Sequence, residues 1–496
     1  MMKQERKRSH KGRELPVEDL SREPVKNKIR VRREIYVSAA LISLLFIALA
    51  VYLFRYEYSG AKDFIYNNYN SRFSVFSDDI IRGSILTSDD TIIATTQESD
   101  GKQIRYYPYK GMFAHAIGYT AQGMSGLEAQ YSFDLLKSHT SFSDQINNDL
   151  TGAKTHGDNL YTTLDYDTQE AAYEGFGMFD GALIAIEPDT GKVIAMVSKP
   201  SFDPNNLAEN WEKLTAEDSG SSVLVNRATQ GAYPPGSTFK IVSTVAYLRA
   251  NNGSTDFSYN CKGSFKLDDQ SIHCSSNEVH GKEDLKSAFY NSCNSAFATI
   301  GSEIDKSVFC DTAESLLFNT SLPTQLSNTK KSRFTITDES DDFDAAQTAI
   351  GQGDTTVSPL HMAMLVSAIA NDGQLMEPYI VDRLESADGD IVTENQPLSY
   401  GQIFSTEEVS ILQEYMRAVV EEGTAKKVDF GDLTVYGKTG TAEYNSNKDN
   451  THSWFVGYAE NDQGKKLAIA VIMEGAGYGS KHAAPLAADV FNAYFN

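Results

Sequence analysis

The sequence predicts an α+β fold in which one antiparallel sheet is built from two distant parts of the chain. Residues 181–200, GALIAIEPDTGKVIAMVSKP, are typical of two apolar strands joined by a PDTG turn. LTVYGKTGTAEY, HSWFVGYAE and KKLAIAVIME, near the C-terminus, predict three successive antiparallel strands. Because helical periodicity fills the region between these strands, we expect helices packed on the sheet. The predicted helices cover about 237–251, 283–303, 359–372, 406–422 and 484–495.

Charge is distributed unevenly along the 496 residues. The net charge is −23, yet residues 1–34 hold 12 Lys and Arg against 6 Asp and Glu. A nucleic-acid binder carries its basic surface on the folded part, whereas here the folded part is acidic. The composition therefore argues against nucleic acid as a partner. The charged tail is predicted to be disordered.

The tail is followed by an uncharged run over 35–54, IYVSAALISLLFIALAVYLF. Twenty apolar residues are enough to span a bilayer as a helix. The basic flank predicts that residues 1–34 are cytoplasmic and that the chain after about residue 55 is outside. Cleavage after Ala48-Leu49-Ala50 as a signal peptide is the alternative, but the apolar run continues past that site.

Two further regions follow this anchor. Residues 58–160 mix short strands with turns and end in a polar connector over 140–159, and a new pattern begins at Tyr161. The four cysteines are Cys261, Cys274, Cys293 and Cys310, and their spacing fits no zinc pattern. Cys261 and Cys274 could form a disulfide outside the cytoplasm, or both could be free thiols.

The stretch GAYPPGSTFKIVSTVAYLRANNG, residues 231–253, presents a serine and a lysine at the start of a predicted helix. Pro234 and Pro235 exclude a helix before Gly236, and apolar residues recur at helical spacing after it. Ser237 and Lys240 are therefore i and i+3 on one helix face. Taken alone, the pair could be a helix N-cap followed by a solvated lysine.

Two further motifs change that interpretation. Ser292-Cys293-Asn294 lies in YNSCNSAF, and Lys438-Thr439-Gly440 lies in GKTGTAE on a predicted strand. The order S-x-x-K, S-x-N, K-T-G resembles the signature of penicillin-binding proteins and active-site serine β-lactamases. NRATQGAYPPGSTFKI, IGQGDTTVSPLHMA, IANDGQLMEP and HSWFVGYAE also resemble segments of the penicillin-binding transpeptidases, and the resemblance covers most of 161–496.

The resemblance implies a role for each motif residue. Ser237 would be the nucleophile, and Lys240 its base once burial and a nearby cation lower its pKa from about 10.4 toward roughly 7–8. Lys438 would supply that positive charge. Ser292 would relay a proton to the leaving amine, and Asn294 would hold the substrate amide.

The remaining implied contacts belong to the K-T-G strand. The hydroxyls of Thr439 and Thr441 would bind the terminal carboxylate of the substrate, and Gly440 would let the strand approach it closely. The backbone N–H groups of Ser237 and Thr441 would form the oxyanion hole. No metal or organic cofactor is implied.

Residues 58–160 resemble the N-terminal pedestal of class B penicillin-binding proteins. The matching stretches are IRGSILTSDDTIIATT, RYYPYKGMFAHAIGYT and GMSGLEAQYSFDLL, although the usual DRNG turn is replaced by Ser88-Asp89-Asp90. A pedestal of about a hundred residues is too short for a glycosyltransferase domain. The expected fold is thus a penicillin-binding, serine β-lactamase-like transpeptidase domain over 161–496, on a small pedestal over 58–160, after one transmembrane helix.

The implied function is a peptidoglycan D,D-transpeptidase that cross-links stem peptides, releases D-alanine and is acylated by β-lactam antibiotics. A SEDS-type glycan polymerase is the implied partner, through the anchor and pedestal. The alternatives are a D,D-carboxypeptidase or serine β-lactamase, and a β-lactam-acylated sensor or scaffold without cross-linking activity. His280 and His452 are expected to be structural. The Cys293 side chain is expected to point away from the site and to pack as a small hydrophobe.

Overall fold

The computed structural model describes residues 25–59, 80–99, 102–140, 148, 150, 151, 153–216, 221–443 and 451–496. The chain divides into two compact units at Asn67/Asn68. Among the described residues, the first unit consists of one long helix. The second unit contains the sheets, the other helices and the motif residues.

The long helix, α1, spans Val25–Ser59. Its stretch Arg32–Arg55 is apolar and long enough to cross a membrane. The predicted anchor over 35–54 lies inside it, with exposed apolar side chains. Residues 25–34 were predicted to be disordered but are helical, so the helix begins at Val25; the rest of the predicted tail lies outside the described residues.

Strands of the second unit fall into a large central sheet, a pedestal sheet and several short pairs. In chain order they are β1 (Ile80–Ile81), β2 (Ile85–Leu86), β3 (Ile92–Ser99), β4 (Lys102–Tyr106), β5 (Thr155–His156), β6 (Asn159–Thr162), β7 (Gly181–Ile186), β8 (Val193–Lys199), β9 (Tyr259–Cys261), β10 (Ser264–Leu267), β11 (Gln270–His273), β12 (Gly281–Glu283), β13 (Gln374–Met376), β14 (Val381–Glu385), β15 (Ile391–Glu394), β16 (Ser399–Gln402), β17 (Thr434–Glu443), β18 (Thr451–Glu460) and β19 (Lys466–Met473).

The α-helices of this unit lie mostly between β8 and β17. In chain order they are α2 (Ala114–Ile117), α3 (Gly126–Gln130), α4 (Tyr166–Gly175), α5 (Leu207–Thr215), α6 (Arg227–Gln230), α7 (Lys240–Ala250), α8 (Leu285–Tyr290), α9 (Asn294–Glu303), α10 (Lys306–Ser315), α11 (Asp342–Ala349), α12 (Pro359–Ala370), α13 (Thr406–Glu421) and α14 (Ala483–Phe495). The short 3₁₀ helices are Lys110–Met112, Asp134–Leu136, Pro204–Asn206, Gly236–Phe239 and Ser275–Asn277.

The central sheet has the strand order β17-β18-β19-β7-β8, and every neighbouring pair is antiparallel. Pairing of β19 with β7 joins the C-terminal strands to the 181–199 hairpin. The predicted sheet, built from two distant parts of the chain, is therefore confirmed. The predicted helix over 283–303 is two helices, α8 and α9, and α4, α5, α10 and α11 were not predicted.

Both faces of the central sheet are covered by helices. Ala468 and Ala470 of β19 face the core that contains the fully buried α12, whereas Leu467 and Ile469 face the core formed with α4 and α14. Because side chains alternate between the faces of a strand, a strand covered on both faces is apolar throughout. This explains the continuous apolar run KLAIAVIM of β19.

The pedestal sheet has the strand order β15-β14-β6-β2-β3-β4, and β1 pairs with β5 beside it. Its outer hairpin, β14–β15, comes from residues 381–394, so strands from both sides of residue 160 share one sheet. Residues 60–79 of the predicted pedestal lie outside the described residues. The sheet ties the pedestal to the domain that follows it.

A buried ion cluster fastens the pedestal together. Glu128 is fully buried and accepts hydrogen bonds from Arg105 Nε at 2.6 Å and Arg82 Nε at 2.9 Å. Burial alone would raise the pKa of Glu128, but Arg105 and Arg82 hold it below its ordinary value. Each of these residues lies in one of the three stretches that carry the pedestal resemblance.

We expect Glu128→Gln to lower the free energy of unfolding by about 3–5 kcal/mol, because it leaves two buried guanidinium groups without a counter-charge. Thermal and urea unfolding of the full chain in detergent micelles measures this. The control is Glu98→Gln, which breaks a half-exposed ion pair with Lys154 and should change stability by less than about 1 kcal/mol. Equal unfolding curves for the two variants would contradict the role given to Glu128.

Candidate active site

The segment before Ser237 is held on three sides. Tyr233 pairs with Val357 in an isolated bridge, the carbonyl of Pro234 accepts a hydrogen bond from Trp454 Nε1 at 3.1 Å, and Gly236 N–H donates to Gly351 O at 2.9 Å. The chain then enters the 3₁₀ helix Gly236–Phe239 and continues as α7. The two prolines therefore end an extended segment and deliver Ser237 to the first turn.

Gly236 has a backbone conformation and surroundings that favour glycine. Its φ is +53°, and a Cβ there would lie 2.7 Å from the carbonyl oxygen of Thr441 on β17. The turn that carries Ser237 thus lies directly against the K-T-G strand. Sequence reasoning placed these motifs in one site but did not predict this contact.

Lys240 lies at the first turn of α7 and is fully buried. Its Nζ lies 3.1 Å from Ser237 Oγ, 2.8 Å from Asn294 Oδ1, 2.7 Å from the carbonyl oxygen of Ser292 and 3.2 Å from Ser292 Oγ. Burial lowers the pKa of Lys240 to about 8. The interpretation of the pair as an N-cap serine followed by a solvated lysine is wrong, because Lys240 is fully buried and Ser237 is not the N-cap of α7.

The S-x-N motif forms the tight turn between α8 and α9. Ser292 has a φ of +57°, which is strained for a residue with a side chain. The turn directs Ser292 Oγ toward both lysines, and Asn294 is the first residue of α9. The amide nitrogen of Asn294 donates to the carbonyl of His273 at 3.0 Å.

Lys438 approaches from the opposite side, on β17, the edge strand of the central sheet in the described part of the chain. It is fully buried, and its Nζ donates to Ser292 Oγ at 3.0 Å and to the carbonyl of Thr439 at 3.1 Å. Burial and the nearby Lys240 lower the pKa of Lys438 well below its ordinary value. An exposed edge-strand lysine that only aids solubility is therefore excluded.

The remaining K-T-G residues lie along the same strand. Thr439 is buried, and its hydroxyl is 2.5 Å from that of Thr424, a residue that sequence reasoning missed. Thr441 is partly exposed. A Cβ on Gly440 would lie 2.9 Å from side-chain atoms of Thr238 and Trp454, so this glycine lets the turn that carries Ser237 pack against the sheet. Gly440 was predicted to let the strand approach the substrate closely, whereas the contact observed here is with the protein itself.

The two histidines do not contact Ser237. His452 lies on β18, accepts a hydrogen bond from Gly475 N–H, and burial lowers its pKa. His280 lies beside Cys261. Cys293 is buried and faces Cys274, so its neighbours are thiols rather than the apolar groups expected for a small hydrophobe. It also lies near enough to Lys240 to act on the pKa of that amine, as a negative charge that opposes the effect of burial. Cys261, Cys274 and Cys293 gather around His280, which the spacing of the cysteines gave no reason to expect.

Comparison with known proteins identifies this constellation. The family model "Penicillin binding protein transpeptidase domain" matches residues 181–492, which include all three motifs. The chain belongs to this family. A second model, "Penicillin binding protein A dimerisation domain", matches residues 82–160, the region predicted as the pedestal.

Several relatives of this penicillin-binding protein are named peptidoglycan D,D-transpeptidases. PbpA of Mycolicibacterium smegmatis is 30% identical over 426 residues, covering 80% of this chain and 84% of that protein. MrdA of Acinetobacter baumannii is 28% identical over 449 residues, covering 78% of this chain and 65% of that protein. Penicillin-binding protein A from M. tuberculosis, solved as a ceftriaxone acyl-enzyme complex, has a TM-score of 0.75 and 26% identity over 85% of this chain and 100% of its own. The chain is a class B penicillin-binding protein, and the predicted fold is confirmed.

We expect Lys240→Ala to slow acylation by penicillin about 10²–10⁴-fold, because it removes the amine that can accept the proton of Ser237. Stopped-flow acylation of the full chain measures the rate, and a thermal melt reports whether the fold survives. Lys306→Ala, which removes a surface ion pair with Asp342, is the matched control and should acylate at the wild-type rate. A Lys240→Ala chain that no longer folds would indicate a structural lysine instead.

Proposed function

We propose that Ser237 is the nucleophile with which this peptidoglycan D,D-transpeptidase attacks the D-Ala–D-Ala bond of a stem peptide. The observation that carries the proposal is the 3.1 Å separation between Ser237 Oγ and the buried amine of Lys240, whose pKa is lowered to about 8. A serine hydroxyl is a weak nucleophile at neutral pH and needs an adjacent base. An amine with this pKa is partly neutral at physiological pH and can serve as one.

In the acylation step, the neutral amine of Lys240 takes the proton of Ser237 as Oγ attacks the carbonyl carbon. The backbone N–H groups of Ser237 and Thr441 stabilise the oxyanion. Contact between the Gly236 turn and Thr441 supports this pairing. As the amide bond breaks, Ser292 gives its hydroxyl proton to the nitrogen of the leaving D-alanine and takes back the proton that Lys240 received from Ser237. The Ser292 hydroxyl lies within 3.2 Å of both lysine amines.

Substrate binding falls to the edge strand and to Asn294. An extended peptide can pair with the free side of an edge strand, so β17 aligns the donor stem peptide. The hydroxyls of Thr439 and Thr441 bind its terminal carboxylate, and Lys438 adds positive charge nearby. Asn294, fixed by Lys240 and the carbonyl of His273, holds the substrate amide. An amine of a neighbouring stem peptide then attacks the acyl-enzyme and completes the cross-link.

The charges beside the anchor support a location of this chemistry outside the cytoplasm. Basic residues flank the N-terminal side of the apolar stretch Arg32–Arg55, which favours an N-terminus in the cytoplasm and a catalytic domain on the outer face. Peptidoglycan lies on that side. We further propose that a SEDS-type glycan polymerase contacts the anchor helix and the pedestal.

We expect a labelled penicillin to attach covalently to the wild-type chain and to leave Ser237→Ala unmodified. Intact-mass measurement of the full chain in detergent detects the adduct, and Ser302→Ala, on α9, is the control that should react fully. An adduct of unchanged yield on Ser237→Ala would disprove the assignment of the nucleophile.

Cross-linking itself is tested on cell walls. Mass spectrometry of muropeptides after replacement of the wild-type chain by Ser237→Ala should show fewer cross-linked dimers and more uncleaved pentapeptide. An increase in pentapeptide without a loss of dimers would indicate a D,D-carboxypeptidase. Unchanged muropeptides would indicate a sensor or scaffold.

A further inference from the structure

Three thiols and one imidazole converge next to the S-x-N turn. They come from separate places in the chain: the end of β9, the residue after β11, the residue before β12 and the N-cap of α9. Their ligand atoms, one each from Cys261, Cys274, His280 and Cys293, all lie within 4.8 Å of one another. The three cysteines are buried, and the His280 side chain is 8% exposed.

Three of the distances between these atoms are close to those of a tetrahedral metal site. Cys261 Sγ lies 3.7 Å from Cys274 Sγ and 3.4 Å from His280 Nδ1, and Cys274 Sγ lies 3.8 Å from Cys293 Sγ. Zinc–sulfur bonds of about 2.3 Å at tetrahedral angles give sulfur–sulfur distances of about 3.8 Å. A disulfide bond has a sulfur–sulfur distance of about 2.05 Å, so these sulfur atoms are not bonded to one another.

Groups around the four side chains are suited to thiolates and to a metal-bound imidazole. Ser295 Oγ lies 3.1 Å from the sulfur atoms of both Cys261 and Cys274, and Gly263 N–H donates to Cys261 Sγ at 3.4 Å. On the far side of the ring, His280 Nε2 lies 3.8 Å from a carboxylate oxygen of Glu278. A carboxylate behind the second ring nitrogen is a frequent partner of a metal-bound histidine.

We propose that Cys261, Cys274, His280 and Cys293 bind a Zn²⁺ ion in a closed, structural Cys₃His site. Three sulfur ligands and one nitrogen ligand favour zinc over the hard cations, which prefer oxygen. With all four positions taken by protein, the ion has no open position for chemistry. Its function is to hold the S-x-N turn against the segments around β9, β11 and β12.

The segments that carry the four ligands meet beside the active site. Cys293 lies between Ser292 and Asn294, and Asn294 donates to the carbonyl of His273, the residue before Cys274. The ion therefore ties the strained S-x-N turn to the end of the β10–β11 hairpin. Loss of the metal should disturb the positions of Ser292 and Asn294 beside Lys240, which is a consequence that rests on the proposed function.

Metal content is measured on the full chain, purified in detergent micelles with Zn²⁺ supplied and then dialysed. We expect about one zinc per wild-type chain, and less than about one-tenth in Cys261→Ser and Cys274→Ser. Cys310→Ser is the matched control, because Cys310 lies outside the cluster, and it should keep the metal. Replacement by Co²⁺ in the wild-type chain should give the visible absorption of tetrahedral cobalt with thiolate ligands.

Several results would overturn the site. They are a wild-type chain without zinc after this treatment, equal zinc in the wild type and both cysteine variants, or a Cys261–Cys274 disulfide in the non-reduced wild type. The zinc content and the disulfide state of the wild-type chain can each contradict the proposal. The test therefore does not depend on whether the variants fold.

The effect on acylation is tested by removing zinc with a chelator and restoring it. We expect slower penicillin acylation of the metal-free chain and recovery with Zn²⁺. Acylation that is unchanged without metal would refute the positioning role. The Ser237 adduct of the metal-replete chain tests the nucleophile separately, so failure of the zinc site and failure of the proposed function can be distinguished.

Discussion

The burial of two lysine amines around one serine hydroxyl is the constraint on which the site depends. Moving an ammonium group out of water is costly unless acceptors replace the lost hydration. Four oxygen atoms that can accept a hydrogen bond lie around Lys240 Nζ, in the turn that carries Ser237 and in the S-x-N turn. Lys438 shares Ser292 Oγ and so lies close to a second positive charge. Desolvation and mutual repulsion both favour a neutral amine, which is the form that can accept a proton.

The fold meets this constraint by carrying three distant segments on helices and a strand. Lys240 is fixed by a helix in the main core, Lys438 by an edge strand that pairs with β18 along its whole length, and Ser292 by a two-helix junction. The φ of +57° at Ser292 costs conformational energy, and surrounding contacts maintain it. Short distances between groups on rigid elements are what a preorganised site requires.

The sequence predicts much of this arrangement, because its strongest signals are local. The apolar strands, the PDTG hairpin and the order of the three motifs are readable within short windows, and they place Ser237, Lys240, Ser292, Asn294 and Lys438 in one site. What was missed depends on contacts between segments far apart in the chain. Hydrophobic periodicity does not indicate such contacts. Examples are the packing of Gly440 against Thr238, the hydroxyl pair of Thr424 and Thr439, and the break between α8 and α9. The Cys₃His cluster is missed for the same reason. Its spacing is C-x₁₂-C-x₅-H-x₁₂-C, so no two of its ligands lie in one short motif.

The cluster lies where a small hairpin meets the S-x-N turn. In the β10–β11 hairpin Ile272 is buried, and Phe265 and Leu267 are half-buried against the main core. A two-stranded hairpin is at best marginally stable by itself, so its position depends on contacts with the rest of the domain. Yet its last residue, His273, orients the amide of Asn294. Something must hold this end of the hairpin against the start of α9, and the cysteine and histidine side chains are the groups that lie at that junction. A metal cross-link there substitutes for a core that the hairpin is too small to form. Coordination would also keep the three neighbouring thiols from pairing as disulfides, and a disulfide that included Cys293 would alter the S-x-N turn directly.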